Sequence, residues 1–455
     1  MEEKQSQCLR FYTRKRKKNM SDLTTTSDKL SALPESLLHL ILSFLDIKQV
    51  VQTSCLSTKW RNIWRSVPVL NIDYHSLTKE SEKKNISSKE KFMDIVDRVL
   101  FLRDDSGIQK LKFFRFFPYD LGRVDALLLF VIKRQVKEIL LQINPPITDY
   151  HQLPHLLFTS VIEMFEISTL SSRYSVQLPN SMCSATHLRI LKLENIKLPE
   201  GDLNGELVIS CPILEEMLLI RCFHHGLKNL SICAPQLNKL AIYDCHAASG
   251  KIKICTPNLT SLKLKYVWYK DYFLESLSSL VTATIEVRNL STKFLMNILN
   301  GLHNARTLKI SGYGHKTSPG CADLLDQGLN TCSNLRCLKF IDFPPPYITI
   351  LLKLFPHIET LTFAFYFFKD MEEDWGKMLS MQNMFSHLKY IRVRRFNGCE
   401  SEVKLIEYLL KTAPGLQSMT VTSCKIFLNS KQLDECTEKL HSLPRASSSA
   451  ILLIT

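Results

Sequence analysis

No two of the chain's fourteen cysteines stand at CxxC spacing, although they are scattered from Cys8 to Cys436. Without such pairs, and with no charged start followed by an apolar h-region, neither a zinc site nor an exported disulfide framework is expected. No run approaches the ~18 to 20 apolar residues that cross a bilayer. The longest block, Ala126 to Ile132, has the length of a core segment. The expectation is a soluble protein of nucleus and/or cytoplasm, with no membrane contact, no metal and no cofactor. Catalytic signatures are missing too: there is no GxxxxGK[ST] phosphate loop, GxSxG elbow, HExxH helix or GxGxxG turn. With 14 glycines in 455 residues there is little material for phosphate cradles, and His224-His225 has no matching carboxylate or cysteine cluster. A chain lacking all of these is expected to be non-catalytic by itself.

What is present is apolar and basic. Hydrophobic residues make up 45%, enough for a large core, and the length is about three typical domains, so several domains or one long repetitive one is expected. The net charge is +14, which makes a polyanionic partner worth testing. Residues 1–19 supply +5 of it, from seven basic side chains against Glu2 and Glu3. The arm to residue 27 has too little apolar surface to offset the entropy of ordering it and is expected to be flexible. Within it Arg14, Lys15, Arg16, Lys17 and Lys18 form a candidate nuclear import signal.

From Asp28 the spacing turns helical. Pro34 suits a first helical position, and Leu37, Leu38, Ile41, Leu42 and Leu45 recur as one broad apolar face. After Asp46 a second short helix carries Val50 and Val51, and Ser57 is placed to cap a third in which Trp60, Ile63 and Trp64 share a face. Lys59, Arg61 and Arg65 flank those tryptophans rather than sharing their surface, which favours a protein-facing or core role over base stacking. Residues 30–73, with Leu33-Pro34, "ILSFL", "VVQTSCLS" and the Trp60/Trp64 pair, resemble the F-box of plant F-box proteins with leucine-rich repeats; the departure is Asp46-Ile47, where that family usually has Pro-Thr. The resemblance implies binding to the Skp-type linker of a cullin-RING ubiquitin ligase. By position it implies contacts from Leu33, Pro34, Leu37, Leu38, Ile41, Leu42, Val50, Val51, Leu56 and Trp60.

The F-box is assigned 28–75 and residues 76–90 are read as a solvated linker, after which Phe92, Ile95, Val96, Val99 and Leu100 make a helical face. A repeat region follows, over 91–385. Anchors at Leu188, Leu214, Leu237, Leu259, Leu280, Ala305, Leu335, Ile358, Leu388 and Leu416 lie 21 to 30 residues apart. Three and five residues after each, all twenty side chains are apolar. Chance gives that on the order of once in ten million, before allowing for the choice of anchors. The spacing is the leucine-rich-repeat pattern, in which a short strand turns alternate side chains inward and units stack. Eight residues past the anchor, Cys222, Cys245 and Cys424 share a slot that elsewhere takes Ile196, Val267, Phe343 or Phe396, which reads as packing rather than ligation. Arg288 alone breaks that series.

Residues 386–455 resemble the FBD region at the end of many plant F-box proteins. They carry a Phe396-Asn397-Gly398 turn, a helix around Glu402 to Leu410 and a last strand from Ala450 that fit a closing cap. The expected architecture is therefore α/β: a small three-helix F-box, a leucine-rich-repeat solenoid of horseshoe form and a C-terminal cap. The expected function is that of a substrate receptor for an SCF-type ligase. At the outward +4 positions five residues are basic, Lys192, Lys263, Lys309, Lys339 and Arg392, and none is acidic, which makes them candidates to bind an unidentified protein substrate. The lesser alternative is a nuclear nucleic-acid-binding protein using the arm and this basic face.

Overall fold

The computed structural model describes residues 30–77, 86–114, 121–144, 151–170, 176–223, 226–245, 250–267, 269–287, 292–312, 332–342, 345–364, 385–423 and 430–455. The basic arm, His224-His225, Arg288, Phe343 and Cys424 lie outside them.

Three short helices come first, Glu35–Leu42, Ile47–Gln52 and Trp60–Ile63. Asp46, the departure from the usual family pattern, makes the second one start. Its carboxylate accepts the Gln49 amide at 3.0 Å while the Gln49 side chain accepts the Asp46 amide at 3.3 Å, a reciprocal capping box. Ser57 does not cap the third helix as expected, because its hydroxyl lies 3.2 Å from that of Ser31 instead. Lys59 donates to the carbonyls of Ser31 (2.5 Å) and Leu33 (2.7 Å), and the Trp60 indole donates to the Ser31 hydroxyl at 3.0 Å. The entry turn at Ser31–Leu33 is thus held by the third helix.

These helices run directly into a 15-stranded sheet. In order it contains Val69–Asp73, Lys110–Phe114, Glu138–Ile143, Met164–Thr169, Ile190–Glu194, Glu216–Ile220, Lys239–Tyr243, Ser261–Lys265, Thr282–Val287, Thr307–Gly312, Cys337–Ile341, Thr360–Ala364, Tyr390–Phe396, Ser418–Ser423 and Ile451–Ile454. Strand order follows chain order, so each strand pairs with its successor in this ladder, and all pairs are parallel. All twenty side chains at the +3 and +5 positions are at most 2% exposed, and every anchor lies beneath them in the core. The slot eight residues past the anchor is buried where it is described, at Ile196, Cys222, Cys245, Val267 and Phe396.

Four strands precede the first sequence-derived anchor, and the earliest, Val69–Asp73, lies inside the stretch assigned to the F-box. The helix Ile86–Leu102 begins within the expected linker. Phe92, Val96, Val99 and Leu100 are buried in it, whereas Ile95 is exposed. Helices Leu121–Lys133 and Leu156–Thr159 continue the connections, and "ALLLFVI" is indeed core through Leu127, Leu128 and Val131.

Midway the connections change character. Glu206–Ile209, Asn229–Ile232, Lys251–Cys255 and Asp271–Glu275 form a second, 4-stranded parallel sheet. Alternation such as Ile252 and Ile254 inward with Lys251 and Lys253 exposed explains why such runs are strands. Helices return with Thr292–Gly301, Pro345–Leu354, Glu400–Thr412 and Ser430–His441.

Candidate functional site

The first helix splits its apolar residues between two faces. Leu38 and Leu42 are fully buried, and Leu45 packs partly against the core. Leu37, Leu40, Ile41 and Phe44 recur at i, i+3, i+4 and i+7 and are 45%, 55%, 39% and 79% exposed. Leu37, Leu40 and Ile41 thus make a second apolar stripe on the opposite side of the helix, open to solvent, and Phe44 extends it from the turn that follows Leu42. Leu30 and Leu56 are also exposed.

This corrects the single broad face expected from sequence and sorts the ten expected linker contacts. Pro34, Leu37, Ile41 and Leu56 are exposed, and Leu33 and Val51 are half-buried. Leu38, Leu42, Val50 and Trp60 are at most 2% exposed and spend their surface on the core. A side chain with no open surface cannot meet a rigidly docked partner. Leu40 and Phe44 went unnoticed, though they complete the i, i+3, i+4, i+7 series in the bare sequence.

Of the basic residues around the tryptophans, Lys59 and Arg65 are committed within the chain while Arg61 is exposed. Besides the two Lys59 bonds, the Arg65 guanidinium donates to the Leu102 carbonyl at 2.7 Å, and Lys48 donates to the Ser76 carbonyl at 2.9 Å. Backbone bonds from Asp104 to Arg65 and from Gln109 to Pro68 join the helical segment to the sheet. Little cationic surface is left there for phosphates.

On the long sheet the side chains facing away from the core form rows across the strands. Over the first nine strands the charges balance: Asp73, Glu138, Glu166, Glu194, Glu216 and Glu286 stand against Lys110, Lys112, Lys192, Lys239, Lys263 and Lys265. Several are paired. Lys110 meets Glu138 at 2.5 Å, Lys192 and Lys239 lie 3.9 and 3.8 Å from Glu216, and Lys265 meets Glu286 at 3.1 Å. Across the last six strands the outward side carries Lys309, Lys339, Arg392 and Arg394 and no described carboxylate, with Arg392 and Arg394 exposed, Lys339 half-buried and Ser311, Thr362 and Ala364 buried. Lys309 reaches back to Glu286 at 2.6 Å.

The five basic +4 residues therefore do not act as one surface. Lys192 and Lys309 are ion-paired, Lys263 sits in the balanced half, and Lys339 and Arg392 lie in the uncompensated one. Arg394, missed because it stands at +6, joins them.

Among the described residues no group of three His, Cys, Asp or Glu side chains is arranged to hold a metal, and no helix is long and apolar enough to cross a membrane. The described cysteines are free: burial pushes the Cys245 thiol well above its ordinary value, and Cys183 up to about 12. Such thiols stay protonated and inert.

Comparison with known proteins follows this division. Family models match at residues 30–71 (F-box domain), 124–272 (FBD-associated F-box protein At5g56370, LRR repeats) and 382–421 (FBD). F-box/LRR-repeat protein At3g26922 of Arabidopsis thaliana is 30% identical over 289 residues, 62% of this chain and 90% of the relative. F-box/FBD/LRR-repeat protein At3g26920 of the same plant is 26% identical over 454 residues, 97% of this chain and 99% of the relative. F-box/FBD/LRR-repeat protein At5g53840 is 24% identical over 443 residues, covering 94% and 95%. With an exposed apolar stripe along the first of three short helices, an in-register repeat sheet behind them and relatives matched over 90% or more of their own length, the chain belongs to the plant F-box/LRR-repeat proteins that carry a C-terminal FBD.

Proposed function

We propose that this chain is a substrate-recognition subunit of an SCF-type cullin-RING ubiquitin ligase. F-box/LRR proteins generally act as SCF substrate adaptors, an F-box implies binding to a Skp-type linker, and no enzymatic domain is found. In this reading the linker docks on the three helices, the repeats form a curved solenoid of horseshoe form, and its open face holds a protein target. Ubiquitin transfer is then accelerated by proximity, with the chemistry supplied by another subunit. The arm residues Arg14 to Lys18 direct nuclear import in the same reading, with the protein partitioned between nucleus and cytoplasm.

The observation that carries the proposal is the exposed stripe Leu37, Leu40, Ile41 and Phe44. Four large apolar side chains on one open surface, three from the first helix and Phe44 from the turn after it, are costly to leave in water and mark an interaction site. A base-stacking role for the tryptophan segment loses support because Lys59 and Arg65 are engaged by backbone carbonyls.

The test is co-purification of the full chain with a Skp-type linker. Interface anchors contribute about 2 kcal/mol or more each, so Leu37→Asp with Phe44→Asp is expected to weaken capture at least a hundredfold while the melting temperature holds, both positions being open to water. Lys133→Glu, exposed at the end of the helix Leu121–Lys133 and away from the three helices, is the charge control. Undiminished capture by the folded double variant would refute the docking surface.

A further inference from the structure

We infer that the C-terminal part of the open sheet face is a docking surface for an extended, carboxylate-rich segment of the protein target, seated on Lys339, Arg392 and Arg394. The inference deepens the reading above and rests on its claim that this face holds the target.

Geometry carries it. Lys309 lies directly opposite Lys339 on neighbouring strands, and the same row continues through Thr362 to Arg392. With strands about 4.8 Å apart, the three cations span roughly 14 Å. Arg394 stands two residues beyond Arg392 on the same face, about 7 Å along the strand. Between them the outward side chains are uncharged and add little open surface: Ser311, Thr362 and Ala364 are buried and Ile341 is half-buried, so the accessible part of the row is its cations. Lys339, Arg392 and Arg394 make no hydrogen bond or ion pair to the described residues, whereas Glu286 already engages Lys265 and Lys309.

Like charges set side by side repel one another and gain from an anion. Burial, with Arg394 and Lys309 as neighbours, holds the Lys339 ammonium below its usual range. A carboxylate laid across the row relieves that repulsion.

The occupant is a peptide rather than a nucleic acid because of what borders the cations. Tyr390 is 40% exposed, Ile451 59% and Leu453 50%, all on the same open face as Arg392. An acidic segment with apolar residues matches both kinds of contact, while a phosphate backbone leaves the apolar border uncovered. The balanced half of the sheet supplies a built-in contrast, since its cations have carboxylates of their own.

The test uses the full chain bound to a Skp-type linker and follows fluorescence anisotropy of three probes. These are a labelled peptide alternating aspartate and threonine, the same peptide with lysine for aspartate, and a single-stranded oligonucleotide of equal length. The aspartate peptide is expected to bind with clear preference over both others. Lys339→Glu with Arg392→Glu and Arg394→Glu is expected to weaken it at least tenfold. Lys110→Glu with Lys112→Glu in the balanced half is expected to change it less than twofold. Lys339→Met alone, expected to weaken binding severalfold, replaces the triple variant if that one does not fold. Equal losses in both halves, no preference for the aspartate peptide, or tighter oligonucleotide binding would overturn the inference. Retained linker with lost peptide preference sinks this inference alone, whereas a wild-type chain that takes up no linker sinks the ligase reading itself.

Discussion

Seven residues past the anchor, each of six repeats places a residue other than glycine in the left-handed region: Asn195, Arg221, Asp244, Tyr266, Asp342 and Arg395, with φ between 43° and 59°. In the first five the amide donates to the carbonyl that closes the next strand, as from Asp244 to Lys265 at 2.9 Å and from Tyr266 to Glu286 at 2.7 Å. The bend ends the strand and turns the following side chain, Cys245 after Asp244, into the core. Such a position tolerates Asn and Asp but strains a β-branched residue. Asp244→Val is expected to cost about 1–2 kcal/mol, and Asp244→Gly to change stability by less than about 0.5 kcal/mol. Denaturant midpoints of the two variants check this, and an unaffected valine variant would show that the bend is not strained. Glu402 is a second such residue. One of its oxygens accepts the amides of Asn397 (2.8 Å) and Gly398 (3.1 Å), fixing the turn where Gly398 has φ 75°. Burial outweighs these bonds and raises its pKa. A carboxyl raised in the folded state contributes stability that is complete below the unfolded value and is lost as pH rises through the folded one. Glu402→Gln is therefore expected to flatten the stability profile from mildly acidic to neutral pH, with the wild type losing ground as pH rises; parallel profiles would contradict it.

At the scale of elements, strand positions were legible because their signal repeats. A single apolar pair says little, but ten pairs at one offset on successive units leave one arrangement that buries them all, and the sheet register follows it. The connections were not legible in the same way. "ELVI" and "NLSI" are four-residue runs with too few alternations to set against a helix, so the second sheet was missed. The F-box helices were found, but their two faces were merged because Leu37 and Leu38 were read as neighbours rather than as opposite sides. Packing between elements is tight where a helix meets that second sheet. A β-carbon on Gly301, at the end of Thr292–Gly301, would come within 2.2 Å of Leu274 Cβ and 2.7 Å of its carbonyl oxygen. Gly301→Ala is expected to lower stability by about 1–3 kcal/mol through this overpacking, read as a fall in melting temperature. A helix-favouring gain would instead show that helix and strand can part.

At the scale of the molecule, each strand contacts its chain neighbours in an unbroken row, so stability is close to a sum over adjacent units. Deleting residues 237–258 removes one strand from each sheet and brings Met217 opposite Leu262 in the register both now share with Leu240. The shortened chain is expected to fold with a modest loss in melting temperature and to keep its linker. Failure to fold would mean that the units are not interchangeable neighbours. What sequence could not supply at this scale was the segregation of charge. Each lysine looks alike in a string, and only the cross-strand register shows which have a carboxylate beside them.

The direct splice of the three helices onto the first strand, through the Asp104 to Arg65 and Gln109 to Pro68 bonds, turns the sheet into a ruler. In the proposed ligase reading, a target held at the eleventh to thirteenth strands sits roughly 50 to 60 Å of sheet contour from the three helices. Every unit added or removed steps that distance by about 4.8 Å. In that proposed reading, repeat number then selects which lysine on a captured target comes within reach of the ubiquitin donor, a choice made by counting strands rather than by any contact at the lysine itself.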